Sequence, residues 1–173
     1  MKKFLIPTFL ILLMPLLQSC FKDDDNTYEE WRKQNDNYIA ALDRNEYELI
    51  VPKWAPQNSV YIKWHNDRSL TANNLVAMSN STVDIKYQLT DIDGNVLDSS
   101  YSLADSTYRS RPNANIVGMN IAMTTMHVGD SATVVVPYPS GYGASQFGKV
   151  KPFSDLIFHM KIKSIKAFET SGE

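Results

Sequence analysis

Apolar and polar positions divide the 173-residue chain into segments of different periodicity. Phe4 to Leu17 is an apolar run behind Met1-Lys2-Lys3. It is too short for an ordinary membrane-spanning helix and has the flank and length of a secretory signal. From Asn26 to Asn45 the spacing becomes helical. Tyr28, Trp31, Tyr38 and Leu42 fall close to one face, and Thr27 with Glu30 fits a capping box. Tyr47 to Ser59 contains Pro52 and Pro56 and reads as a connection.

Beyond it the pattern is mostly that of strands. Val60 to Trp64 is one, followed by a polar loop from His65 to Ser81. Thr82 to Leu89 alternates, with Val83, Ile85, Tyr87 and Leu89 on one face. Asp93-Gly94 marks a tight turn, from which Val96 to Tyr101 returns. Between Asn115 and Asp130 the period switches to 3.6. Ile116, Met119, Met123 and Met126 form a stripe that Gly129-Asp130 closes. Ser131 to Pro137 is a buried strand, and Asp155 to Ile165 is a long final one with Leu156, Phe158, Met160 and Ile162 inward. Strands outnumber the one core helix. The expected fold is α+β: an antiparallel β-sheet wrapped around a short central helix, with an N-terminal helical arm.

Charge and cysteine usage narrow the setting. The formal charge is -2 with no long basic run, which argues against a nucleic-acid partner. The apolar run leads into Leu17-Gln18-Ser19-Cys20, which resembles the lipobox of bacterial lipoproteins. The resemblance implies cleavage before Cys20 and a lipid on that residue, the only cysteine of the chain. A mature chain would then keep no cysteine for a disulfide, a metal or a nucleophile. It would also lose Lys2 and Lys3, leaving 15 basic and 19 acidic residues, a charge of -4. Cys20 to Asn26, "CFKDDDN", reads as a solvated acidic tether, and it also resembles the surface-export signal of some diderm lipoproteins. The expected location is a lipid anchor in the outer membrane, facing the periplasm or the cell surface. The division that follows is signal peptide 1–19, tether 20–26, helical arm and linker 27–57, main domain 58–168 and tail 169–173. The arm packs on the domain or holds it off the membrane, and is a candidate for homodimer contact.

Four pieces stand in order: "YQLTDIDGNVLDSSY" from Tyr87, "IVGMNIAMTTMHVGD" from Ile116, "VVVPYPSGYGA" from Val134 and "VKPFSDLIFHMKIKSI" from Val150. Together they resemble the FKBP-type peptidyl-prolyl isomerases. The resemblance covers about residues 58 to 168 and implies isomerisation of X-Pro bonds without a cofactor. It assigns the pocket to Tyr87, Asp98, Ile116, Tyr142 and Phe158. Tyr87 and Phe158 would be aromatic wall, and Ile116 would give its side chain and backbone N–H. Asp98 would orient polar contacts at the rim, or else cap a strand end. Tyr142 would donate its hydroxyl to the substrate, with Gly141 and Gly143 letting the backbone turn around it. Leu97, Tyr108, Met119 and Val150 would complete the substrate pocket, Val150 at its mouth. Met119 stands where the family often has Trp, Leu97 where it often has Phe, Asn115 where it is usually apolar, and Lys151 replaces one proline of a pair. A softer, less aromatic pocket follows.

His65, His127 and His159 are far apart in sequence without ligand spacing, and no metal site is expected. The expected partners are proline-containing segments of exported proteins and the membrane. Two other readings share the fold: a binding module with a weakened pocket, favoured by Leu97, Asn115 and Met119, and a structural subunit docked through the aromatic arm.

Overall fold

The computed structural model describes residues 27–167. The apolar leader, Cys20 and the acidic tether lie outside them.

The element order is α1 (Glu29–Ala41), β1 (Glu48–Ile50), β2 (Val60–Trp64), β3 (Thr82–Thr90), β4 (Val96–Ser99), β5 (Tyr108–Ser110), α2 (Val117–Thr125), β6 (Ser131–Val136) and β7 (Leu156–Ala167). The strands form one antiparallel sheet in the order β1-β2-β6-β7-β3-β4, with β5 also paired to β3. β4 and β5 share one edge of β3: β4 pairs at Gln88–Thr90 and β5 at Val83–Ile85. β7 runs along the opposite edge of β3. β3 and β7 are therefore central, and their alternating apolar residues carry the core.

That core lies between the sheet and α2. Val60, Ile62, Val83, Ile85, Val134, Val136, Leu156 and Ile162 are fully or almost fully buried with Ile121, Met123 and Met126. The approach of helix to sheet depends on Gly118, where an added Cβ would come within 2.2 Å of Val136 Cγ1. Ile116 is the N-cap and Met126 the C-cap of α2, so the methionine stripe overruns the helix at its C-terminal end.

The connections show local chemistry at work. Asp91 closes the β3–β4 hairpin by accepting from the N–H groups of Asp93 and Asn95, and Gly94 takes φ +83°. Buried Asp130 ends the α2 segment, accepting from Thr71 Oγ1, Asn66 Nδ2 and the His127 N–H.

Four expectations need correction. The capping box of Thr27 and Glu30 does not form: Tyr28 is the N-cap without a side-chain cap bond, and the Arg32 N–H donates to the Tyr28 carbonyl. The shift moves Glu30 out of the box register, although Glu29 and Glu30 still favour the positive end of the helix. The helix ends at Ala41, and Asp43 organises the turn after it by accepting from the Asn45 N–H. Part of the supposed connection is β1, because Glu48–Ile50 pairs with Val60–Ile62 before Pro52 intervenes. The strand from Val96 stops at Ser99, whose hydroxyl accepts from the Tyr101 N–H and starts a 3-10 turn.

Candidate active site

The site is a cavity of about 540 Å³ between the N-terminal end of α2 and the sheet. Tyr87, Leu89, Asp98, Tyr108, Ile116, Met119, Tyr142, Phe147 and Phe158 line it, with Ala114 and Asn115 at one side. The volume falls within the usual range for small-molecule and peptide-side-chain sites.

The wall is an aromatic cluster on β3, β5 and β7. Tyr87 of β3 meets Tyr108 of β5 edge-on at 5.7 Å and Phe158 of β7 in a tilted contact at 5.9 Å. The register explains the grouping. Leu89 pairs with Phe158 on one side and Asp98 on the other, so all three stand in one row across the sheet. The Tyr87 hydroxyl donates to Asp98 Oδ2 at 2.5 Å, and Asp98 Oδ1 accepts from the Ser99 N–H at 2.7 Å. Both carboxylate oxygens are thereby oriented at the rim. Burial, then Asp98, pushes the Tyr87 phenol well above its ordinary range. Its proton stays on and stays committed to Asp98.

Met119 forms part of the buried lining, at 4% exposure. Ile116 precedes the first turn of α2, where an α-helix has unsatisfied N–H groups. Among the described residues, no hydrogen bond uses the Ile116 N–H.

Tyr142 stands on the loop between β6 and β7. Pro137 leads into a 3-10 turn, Tyr138–Ser140, whose first carbonyl accepts from the N–H groups of Gly141 at 3.0 Å and Gly143 at 2.9 Å. Gly143 has φ +61° and needs glycine; Gly141 has φ -104°, so only one flanking glycine is explained by positive φ. Burial, then Asp98 and Tyr108, pushes the Tyr142 phenol up, so the hydroxyl stays protonated as a donor.

The structure brings together Tyr87, Asp98, Ile116, Tyr142 and Phe158, with Tyr108 and Met119. It does not bring Leu97 or Val150 to the cavity surface. Leu97 is the unpaired residue of a β-bulge, since Leu89 pairs with Asp98 and Thr90 with Val96, and it packs against the core. Val150 is turned inward by a tight turn in which Phe147 and Val150 exchange backbone hydrogen bonds of 3.0 and 2.8 Å. Phe147 takes the outer position instead. It is 60% exposed and stacks on Tyr142, with centroids 4.5 Å apart and planes 8° from parallel. Sequence reading missed Phe147, and the only cue was an aromatic residue beside the turn-forming Gly148.

The histidines are not all distant in space. His65 and His159 both meet the Thr133 hydroxyl, at 2.9 and 3.0 Å, on the sheet face away from α2. His127 instead contacts Arg68 and Asp130. Among the described residues, no group of three or more His, Cys, Asp or Glu side chains could hold a metal ion.

A single antiparallel sheet around one helix, with an aromatic cavity at the helix's N-terminal end, defines a class of small α+β domain that can hold an apolar segment. A profile of the FKBP-type peptidyl-prolyl cis-trans isomerases matches residues 74–163, just over half of the chain. The chain belongs to this family of isomerases. No curated protein matches it by sequence. Two solved structures are similar in fold. A peptidyl-prolyl cis-trans isomerase from Pseudomonas syringae pv. tomato aligns with TM-score 0.65 and 18% identity, over 81% of this chain and 96% of that one. FkpA from Escherichia coli aligns with TM-score 0.63 and 19% identity, over 83% of this chain and 61% of that one.

Proposed function

We propose that the cavity catalyses cis-trans isomerisation of X-Pro bonds in proteins that fold outside the inner membrane. The observation that supports this best is the placement of Tyr142 and Ile116 as unengaged donors on the same aromatic pocket.

The reaction needs no acid, base, nucleophile or redox group. An amide resists rotation by roughly 18–20 kcal/mol because twisting breaks its resonance. For X-Pro the two planar forms differ by only about 0.5–1 kcal/mol, so a catalyst changes the rate and little else. It must bind the twisted amide better than either planar form. A twisted amide is less polarised and loses less on leaving water. The walls of Tyr87, Tyr108, Phe158 and Met119 supply the apolar surroundings for the proline ring. The Ile116 N–H and the Tyr142 hydroxyl donate to substrate carbonyls on either side. Asp98, locked by Tyr87, places a fixed negative charge at the rim.

A lipid on Cys20 would hold this domain at the outer membrane, facing the periplasm or the cell surface. There it would meet unfolded exported chains. The second reading, a module that holds proline-rich segments without turnover, is favoured by Met119, a flexible side chain in the buried lining.

The two readings separate in a refolding experiment. A disulfide-free exported protein whose slow phase is limited by an X-Pro bond is refolded with the full chain in detergent. Acceleration at substoichiometric amounts supports the isomerase. Retention of unfolded substrate at stoichiometric amounts, with the slow phase unchanged, would establish the binding module.

A further inference from the structure

Asn35 stands in the middle of the apolar stripe of α1, between Trp31 and Tyr38, and is 0% exposed. A buried amide is costly unless its donors and acceptors are satisfied. Nδ2 donates to the Trp31 carbonyl at 2.7 Å, and Oδ1 accepts from the Asp155 N–H at 2.7 Å. One turn earlier, Trp31 Nε1 donates to Ser154 Oγ at 2.9 Å. The arm therefore bonds two consecutive residues at the entry to β7.

Asp155, also 0% exposed, carries the connection onward. Its Oδ1 accepts from the Tyr138 N–H at 2.8 Å. Tyr138 opens the turn whose carbonyl holds the N–H groups of Gly141 and Gly143, the two neighbours of Tyr142. The Gly143 carbonyl in turn accepts from the Phe153 N–H at 2.8 Å, which ties the loop back to the segment before Asp155. Rings reinforce the same junction. The Arg32 guanidinium lies over Phe153 at 5.1 Å and Tyr138 at 5.9 Å, and those two rings meet edge-on at 5.7 Å. Lys151 Nζ lies 4.5 Å over Trp31.

We infer that α1 is a positioning element of the pocket, and that Asn35 and Asp155 set the Tyr142 loop through the path Asn35–Asp155–Tyr138–Gly143. The inference rests on the reading of this cavity as the substrate site. Both positioning residues lie outside the cavity lining, and α1 lies outside the segment matched by the family profile.

The path carries a proton-dependent link. Asp155 Oδ2 is buried without a hydrogen-bond partner. Burial pushes this carboxyl up to about 7, the Tyr138 N–H opposes the rise, and Asp36 adds to it. Asp36 and Tyr38 from α1 and the Tyr138 N–H act on it directly, while the cations of the junction lie over rings, Arg32 over Tyr138 and Lys151 over Trp31. An ionised carboxylate grips the Tyr138 N–H more strongly than the neutral acid does. The arm junction and the Tyr142 loop therefore change together near neutral pH.

The test follows the backbone amides of Tyr138, Gly141 and Gly143, and the side-chain amide of Asn35, by nuclear magnetic resonance. The ¹⁵N-labelled full chain is titrated through neutral pH. The expected result is one shared inflection near pH 7 that Asp155→Asn abolishes, while the Ile85 amide does not follow it. Loop amides that do not titrate, or that titrate without Asn35, overturn the inference. Asn35→Leu keeps the apolar face and removes both bonds. It is expected to shift the Gly141 and Gly143 amides and to raise KM for an X-Pro peptide about fivefold, with kcat little changed. An unshifted loop in the folded variant overturns the inference equally. Should Asn35→Leu not fold, the wild-type titration decides alone. A wild-type chain without isomerase activity would overturn the assigned reaction, and the amide titration would still report whether α1 sets the loop.

Discussion

Asp98 faces Tyr142 and Asp155 holds the start of its loop, and their surroundings give the two carboxylates opposite parts. Asp98 is exposed at the rim and held by Tyr87 and the Ser99 N–H. Replacing it with Ala frees the Tyr87 hydroxyl and removes the rim charge, at a site where solvent can enter. Asp98→Ala is therefore expected to lower kcat/KM several-fold, about 1 kcal/mol, with an unchanged urea midpoint. Asp155 is buried with one oxygen unpaired and is pushed up to about 7. The folded chain keeps its proton between about pH 4 and 7 while the unfolded chain releases it. Stability from this group therefore falls as pH rises through that window, by on the order of 4 kcal/mol in total. Asp130 has the opposite sign. Burial raises it, but hydrogen bonds from Thr71, the His127 N–H and Asn66 outweigh burial and hold it below the usual carboxylate range. Its stabilisation is present above that range and is lost in acid. Burial holds His159 below its ordinary range, so its contribution rises with pH over the same window and is common to wild type and variant. Thermal unfolding from pH 5 to 8 should show the melting temperature of the wild type falling relative to that of Asp155→Asn, and a difference that stays constant or grows in favour of the wild type would contradict the assignment. These roles were only partly legible in the sequence. Asp98 came from its place after Leu97 in a motif. Asp155 offered no such signal, because its environment is built by α1 and the Tyr138 turn, both remote in the chain.

At the scale of elements, alternation was a reliable guide where a strand is long and buried on one face. β3 and β7 follow their apolar pattern because a slip by one residue would expose the whole core row, whereas β6 is buried on both faces and is marked by its run of valines instead. The strands that escaped notice, β1 and β5, are three residues each and owe their form to pairing with β2 and β3. Their own composition carries little signal. The stripe of α1 is legible through its aromatic residues, and the polar Asn35 does not stand out in it. Its spacing from Trp31 and Tyr38 nonetheless places it on the same face, and its bonds to Trp31 and Asp155 are what permit it there. The bulge at Leu97 and the turn at Gly148 likewise decide which neighbouring side chain enters the pocket, and neither is visible in periodicity. The packing of α2 makes a sharper expectation. An alanine at 118 would drive its Cβ into Val136. Gly118→Ala should cost about 3 kcal/mol, seen as a lower urea midpoint. Adding Val136→Ala should recover part of that loss, since the clash is with one side chain. An equal loss in the single and double variants would mean that the strain lies elsewhere.

For the molecule as a whole, the sheet and α2 supply the frame of the cavity and the β6–β7 connection supplies its outer side. The wall residues sit on β3, β5, β7 and α2, while Tyr142 and Phe147 arrive on the β6–β7 connection. This division explains why the fold could be anticipated from four short motifs, and why the mouth of the pocket could not. The arm gives the connection a second support from outside the core. The central question is whether the aromatic cavity turns over an X-Pro bond with Tyr142 as a donor. The most direct measurement is the cis-trans exchange rate of a Leu-Pro peptide, followed by exchange spectroscopy with the full chain and with Tyr142→Phe. Peptide affinity and the urea midpoint are measured on the same samples. Exchange well above the free peptide is expected, with a roughly tenfold loss in Tyr142→Phe and folding intact. A folded wild type that binds the peptide without speeding its exchange, or a Tyr142→Phe as fast as the wild type, would contradict this expectation.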